Sequence, residues 1–202
     1  IGVYQMELQL PDVFRHLEFG EVSITLPNIG VKIYTNGNFY LDLGWPASIS
    51  DFSRSFTIQV FPFIGSGGFY FASLTGATAS GLPAVQRGVF NPVIEAGIAI
   101  SVGVGKTINE GILKAGLSLT AIGMFQGTYA IFTPNPNTSY SNETDTYYKF
   151  SGTLALVGRI YGEVNFAIIS ASFDITAYIM VNMVVEAYKA IPIYFEAGVS
   201  VR

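Results

Sequence analysis

Apolar and non-apolar residues alternate strictly along much of the chain. From Ile94 to Val104 every second residue is aliphatic or alanine, and the residues between them are small or polar. The same period of two recurs from Leu113 to Ala121, through most of 148–183, and again in 191–201. A period of two places successive side chains on opposite faces of a strand. The pattern therefore predicts an all-β protein built from antiparallel strands.

The apolar positions of these strands predict one continuous apolar face, opposite a face of small and polar residues. Because apolar side chains are stabilised by removal from water, we expect this face to be buried against other apolar groups. The residues chosen to represent this face are Ile98, Ile100, Leu117, Leu119, Phe173 and Ile175.

The C-terminal part of the chain is predicted to form long, curved strands. Residues 145–202 contain few turn residues, and one straight strand of that length would span about 190 Å. The segment must therefore fold back at glycine-marked kinks, which predicts a barrel-like, sandwich or groove-shaped sheet. The alternation changes phase between Ile168 and Ile169, which predicts a bulge or a corner where the strand changes sheet.

Local signals predict two smaller elements. Asn36-Gly37, between two apolar runs, predicts a hairpin with a type I′ turn, because both central residues of that turn need positive φ. Pro11 and Gly20 bracket a segment that predicts at most one short helix, near residues 12–19. We expect residues 1–202 to form a single β domain with a weak seam near 62–92. The strand pattern reaches the last residue, and we expect the chain to be a fragment of a larger protein.

Composition narrows the classes of function. The chain is 50% hydrophobic and 12% charged, whereas an ordinary soluble domain is about 25% charged. The formal net charge is −4, which disfavours nucleic-acid binding because that needs clustered Lys and Arg. Cysteine is absent, so the sequence offers no thiolate ligand, nucleophile or disulfide.

Motifs that carry chemistry are scarce. Gly103-Val104-Gly105-Lys106-Thr107 resembles the end of a phosphate-binding loop, but Ile100 stands where that loop needs glycine. We expect a turn between two strands there. His16 is the single histidine and is interpreted as structural. Several carboxylates fall on polar strand faces and are interpreted as solvated or lumen-lining rather than as paired acids. They are Glu95, Glu163, Asp174, Glu186 and Glu196.

No catalytic residue, cofactor site or metal site is predicted. Asn137 and Asn142 have the form of N-glycosylation acceptors in one polar loop. The sequence favours a non-enzymatic β module of a larger protein or assembly, which is either structural or holds a lipid-like or other apolar ligand in an apolar groove. Its alternatives are a transmembrane β-barrel of the outer-membrane type and, ranked lowest, a carbohydrate-active enzyme on a β-sandwich.

The expected partners follow from that preference. They are flanking β segments or other copies of the chain, joined through open strand edges, because long open edges recruit further strands. A lipid-like ligand and a membrane are further expected partners, and nucleic acid is not. An extracellular, cell-envelope or virion-associated location is favoured over the cytoplasm.

Overall fold

In a computed structural model of the chain, the structure describes residues 1–110, 113–136, 145–166 and 169–202. Antiparallel strands make up 72% of this part of the chain and helix 2%, which confirms the predicted all-β class. The elements are β1 (Val3–Leu8), α1 (Asp12–Arg15), β2 (His16–Phe19), β3 (Val22–Thr25), β4 (Ile29–Tyr34), β5 (Phe39–Leu43), β6 (Phe56–Val60), β7 (Phe63–Leu74), β8 (Gly88–Glu110), β9 (Leu113–Pro134), β10 (Asp145–Phe166), β11 (Ile169–Glu186) and β12 (Ile193–Val201).

All twelve strands of the described residues belong to one sheet, which does not close into a barrel. Its main path runs β1-β4-β5-β7-β8-β9-β10-β11-β12, so β1 and β12 are the two edges of that path. Strands β2, β3 and β6 form a side branch that joins the path at β7. Of the predicted architectures, the structure shows a single open sheet rather than two packed sheets.

The long strands β8 to β11 form a meander in unbroken antiparallel register, apart from a bulge between Phe90 and Val93. Phe166 pairs with Ile169, so the chain reverses between β10 and β11. The predicted bulge or sheet-changing corner is therefore wrong, because the change of phase marks a hairpin between neighbouring strands. Ile168, one of the two residues at that point, lies outside the described residues.

The small elements follow the sequence signals with two corrections. The β4–β5 hairpin forms, and the Tyr34 amide donates to the Asn38 carbonyl at 2.9 Å. Its turn is not type I′, because Gly37 has a positive φ of 86° but Asn36 does not. The predicted short helix is a single turn, α1, which ends at Arg15. Residues 16–19 form β2 instead and pair with β3.

The fully buried core is small and lies at one end of the sheet. Ala72, Val93 and Ala130 are 0% exposed and neighbour one another across β7, β8 and β9. Leu82, from the segment between β7 and β8, packs against this cluster. These core residues point to the same side of the sheet as most of the charged residues, so the chain covers its polar side and not its apolar side.

Candidate functional site

The strand register collects the predicted apolar positions on one side of the sheet. One row crosses all nine strands of the main path and consists of Leu8, Ile29, Leu43, Phe69, Ile98, Phe125, Gly152, Met183 and Ile193. The rows above and below it are similarly apolar. We call this side the apolar face and define it by every second residue of 94–106, 113–131 and 148–164. The runs 171–185 and 193–201 complete it.

The six residues predicted to represent this face all lie on it. Their exposed fractions run from 38% for Ile175 to 59% for Leu117. The described residues therefore bring the predicted side chains together but do not supply the expected burial. Water or a partner must cover roughly half of each side chain.

Charge is segregated between the two sides. Of the charged residues whose side chains are described in the nine strands, Lys106 alone lies on the apolar face. The others lie on the opposite side, which we call the polar face. They are Glu7, Lys32, Asp42, Glu95, Lys114, Asp145, Lys149, Arg159, Glu163, Asp174, Glu186 and Glu196.

The apolar face is large for a protein surface. The four longest strands contain 18 to 23 residues each, and at about 3.3 Å per residue and 4.8 Å between strands they present roughly 1,000 Å². The largest apolar patch on an ordinary monomer is about 300–600 Å². Larger patches mark interaction sites, so this face is the candidate functional site.

Three open hollows follow one another along the strands of this face. The first, of about 840 Å³, lies between Phe71, Tyr129 and Phe150. The second, of about 540 Å³, includes Ile100 and Leu156. The third, of about 570 Å³, is lined by residues such as Leu117 and Ile160, with Lys106 at its margin. Together the three hollows form a furrow that follows the strand direction.

Aromatic rings lie over cross-strand glycines on this face. A Cβ atom added at Gly152 would stand 2.9 Å from the ring of Phe125, and one at Gly127 would overlap the ring of Phe150. Phe173 covers Gly162 in the same way. The missing side chains leave room for the rings to lie across neighbouring strands. The face is therefore smoother than a ridge of upright side chains would be.

Four of the five predicted carboxylates on the polar face have a hydrogen-bond or ion-pair partner among the described residues. Arg159 forms an ion pair with Asp174 through two nitrogen atoms. The Tyr178 hydroxyl donates to Glu196 at 2.6 Å, and the Tyr147 hydroxyl donates to Glu186 at 3.0 Å. The remaining predicted carboxylate of this kind, Glu163, accepts a hydrogen bond from the Asn165 amide. These partners fit the structural interpretation of the carboxylates.

Glu95 differs from the other predicted carboxylates because it lies half-buried beside Tyr70. Burial raises the pKa of the Glu95 carboxyl. Burial also raises the pKa of Tyr70 to about 12, and the neighbouring Glu95 charge adds to that shift. The Tyr70 ring in turn packs edge-on against Trp45 at 4.7 Å. Both rings lie over Gly97, the next polar-face position after Glu95 along β8.

A charged hollow of about 310 Å³ on the polar face was not predicted from the sequence. Arg54 forms ion pairs with Glu7 at 3.0 Å and with the buried Asp42 at 3.1 Å. The three residues come from β1, β5 and the loop before β6. No sequence signal links them, because their contact arises only when β1 pairs with β4 and that loop crosses the sheet.

The remaining predicted sites are placed as follows. Lys106 and its glycine-rich motif lie inside β8 rather than in a turn, so the expected turn between two strands is wrong. The Gly105 amide donates to the Pro62 carbonyl at 2.9 Å. His16 is exposed at the start of β2, and its Nδ1 lies 2.9 Å from the Thr25 hydroxyl. Asn137 and Asn142 lie outside the described residues.

The described residues contain neither a metal-binding cluster nor a membrane-spanning helix. Three or more His, Cys, Asp or Glu side chains nowhere converge as a metal site would require. Within those same residues, no helix has the length and apolar character needed to cross a membrane.

The fold and its faces define a class, namely a single-sheet antiparallel β protein with one charge-poor apolar face. No protein-family model, no curated protein and no solved structure matches the chain.

Proposed function

We propose that the chain is a non-enzymatic β-structural module of a larger assembly and that its apolar face holds lipid-like molecules. One observation carries the proposal: the half-exposed apolar face contains Lys106 as its single charge among the described side chains. A protein surface that meets only water has no reason to exclude charge so thoroughly.

The free energy available on this face suits an acyl chain. Each methylene removed from water contributes about 0.8 kcal/mol, so a dozen methylenes contribute roughly 10 kcal/mol before the cost of ordering the chain. The furrow follows the strands past Ile100 and Leu119, which are both about half exposed. A long apolar ligand laid along the furrow covers these side chains without burying any carboxylate of the polar face.

A second candidate is a membrane-inserted sheet of the transmembrane-barrel kind. It is favoured by the distribution of burial, because many large apolar residues are exposed on the apolar face while Asp42, ion-paired with Arg54, is buried on the polar face. The length of the strands favours the lipid-holding module instead. The apolar positions of β9 extend from Leu113 to Ile131 and span about 60 Å. A hydrocarbon core is about 30 Å thick and is crossed by 9–11 residues of a tilted strand.

The two edges of the sheet provide the proposed contacts with other copies or flanking strands. In β12, Arg202 and Asp174 exchange backbone hydrogen bonds, so even-numbered residues bond inward to β11. The N–H groups of Phe195, Ala197 and Val199 therefore point away from the sheet. All three side chains are exposed, and Pro is absent from the strand. Such an edge is open to pairing.

Binding of a fluorescent fatty-acid analogue to the purified 202-residue chain tests the proposal. We expect saturable binding that Ile100→Asp weakens by at least tenfold. Ser101→Asp, the adjacent position on the polar face, is the matched control and should bind as the wild type does.

The outcome also separates the two candidates. No binding to the free analogue, together with insertion into phospholipid vesicles and protection from protease there, would favour the membrane sheet. Absence of both activities would refute both candidates. Equal loss in the two variants would show that the analogue does not use the apolar face.

A further inference from the structure

Among the charged residues of the sheet whose side chains are described, Lys106 alone lies on the apolar face. The β8–β9 register pairs it with Leu117, and its side chain therefore lies on the apolar face. It stands at the margin of the third hollow, beyond the point where β7 pairs with β8. The furrow continues from Lys106 past Val104 and Val102 to Ile94, a distance of about 40 Å.

The described residues that line the hollow beside Lys106 carry positive charge and no negative charge. Its lining includes the apolar residues Leu119, Ile160 and Ile175 and a second cation, Arg159, whose guanidinium is paired with Asp174 on the polar face. Within the described residues Lys106 forms no ion pair, whereas Lys149 and Lys189 on the polar side both contact Glu186. An ammonium group at the edge of an apolar surface attracts an anion. A ligand that covers the surface removes part of the water around the charge and so strengthens this attraction.

We propose that Lys106 binds the anionic head group of a single-chain lipid whose acyl chain lies along the furrow. This inference rests on the proposed function, since it requires that the apolar face take up acyl chains. The ligand class it names is the fatty acid, with its carboxylate at Lys106 and its methyl end directed toward Ile94.

The position of the charge makes this geometry specific. A carboxylate at any other point of the face would lie on uncharged residues and lose its hydration without compensation. At Lys106 the head group remains at the margin of the hollow, where both charges keep contact with water. A neutral head group gains no attraction from Lys106, so the chain should bind an anionic amphiphile more tightly than a neutral one.

The test compares hexadecanoic acid with hexadecanol as competitors of the fluorescent analogue on the full chain, at a pH where the acid is ionised. We expect the acid to bind about fivefold more tightly than the alcohol. Lys106→Gln should abolish that preference and leave the affinity for hexadecanol unchanged. Lys106→Arg should retain the preference.

Lys114→Gln is the matched control, because Lys114 lies on the neighbouring strand at the same end of the sheet but on the polar face. This variant should keep the preference for the acid. Equal affinity for acid and alcohol in the wild type would overturn the inference while leaving acyl binding intact. The same preference in Lys106→Gln as in the wild type would also overturn it.

Two further outcomes are decisive. If neither amphiphile binds, the proposed function fails and the inference fails with it. If the chain ignores both free amphiphiles but binds vesicles that contain anionic phospholipid, the partner is a membrane surface and the fatty-acid assignment is refuted.

Discussion

The exposure of the apolar face predicts that a charge placed there harms ligand binding more than it harms folding. Leu117 is 59% exposed, and full burial of a leucine contributes about 1.5–3 kcal/mol. The chain alone therefore obtains roughly 1 kcal/mol from this side chain. Leu117→Asp should lower the free energy of unfolding by about 1–2 kcal/mol, including the weaker strand preference of aspartate. Urea unfolding of the variant measures this loss.

The ligand complex should be affected far more. A bound acyl chain covers the remaining part of Leu117. An aspartate there would face Lys106 directly across the β8–β9 pair, so it would neutralise the cation proposed to bind the head group and would also place a carboxylate against hydrocarbon, at a combined cost of several kcal/mol. We expect the affinity for the fatty-acid analogue to fall by about a hundredfold or more, since each 1.4 kcal/mol is tenfold. Ser118→Asp, one residue away on the polar face, should leave the affinity unchanged.

A specific result would refute this reasoning. If Leu117→Asp destabilised the chain by more than about 4 kcal/mol, as a charge in a closed core does, the apolar face would already be covered by protein in solution. Unchanged ligand affinity in a folded Leu117→Asp variant would remove the face from the binding site.

Three further predictions concern the rest of the sheet. Gly68→Ala should strongly lower the melting temperature, because the new Cβ atom would overlap the Gly44 carbonyl. Gly65→Ala is the control: its Cβ atom would lie 3.4 Å from the Ile58 side chain, an ordinary contact distance, and the melting temperature should change little. Because burial in the folded chain raises the pKa of Glu95, the folded chain binds that proton more tightly than the unfolded chain, and stability should fall as pH rises above the ordinary glutamate pKa of 4.5. Glu95→Gln should flatten this dependence in thermal melts between about pH 4 and pH 7. An unchanged pH profile in Glu95→Gln would contradict the prediction. Ala197→Pro removes one outward N–H of β12 and should lower self-association in sedimentation experiments. Ala197→Ser, the matched control, should leave self-association unchanged. A wild-type chain that stays monomeric at high concentration would exclude pairing at this edge.

The parts of the fold that could be predicted are those that depend on the strand period. Ile98, Leu117 and Ile175 lie far apart in sequence, yet alternation alone placed them on one face, because every antiparallel neighbour preserves the side of the sheet. That the face is exposed was not predicted, since period two reports which side chains share a face and not what covers it.

The errors also have physical causes. Gly103 and Gly105 were interpreted as turn residues, although glycine also occurs inside strands where side chains from neighbouring strands crowd it. A Cβ at Gly103 would lie 2.9 Å from the Thr120 hydroxyl oxygen. The reversal between Phe166 and Ile169 lacks the Asn-Gly or Asp-Gly signal that identifies hairpins. The ion pairs of Arg54 depend on residues up to 47 positions away, which no local pattern encodes.

The distribution of burial links the stability of the chain to its proposed ligand. Half of the buried hydrophobic residues in the described part of the chain are alanines, such as Ala72, Ala99 and Ala130, which contribute little hydrophobic free energy. Many larger aliphatic side chains on the apolar face remain about half exposed to water. The long cross-strand ladders hold the sheet together, but they do not recover the free energy left on the apolar face. A ligand that binds only the folded chain stabilises it by RT ln(1 + [L]/Kd), about 2.7 kcal/mol at a hundredfold excess over Kd. Occupancy of the apolar face should therefore raise the melting temperature as ligand concentration rises, and an apolar face that served only as an inert outer surface would show no such dependence.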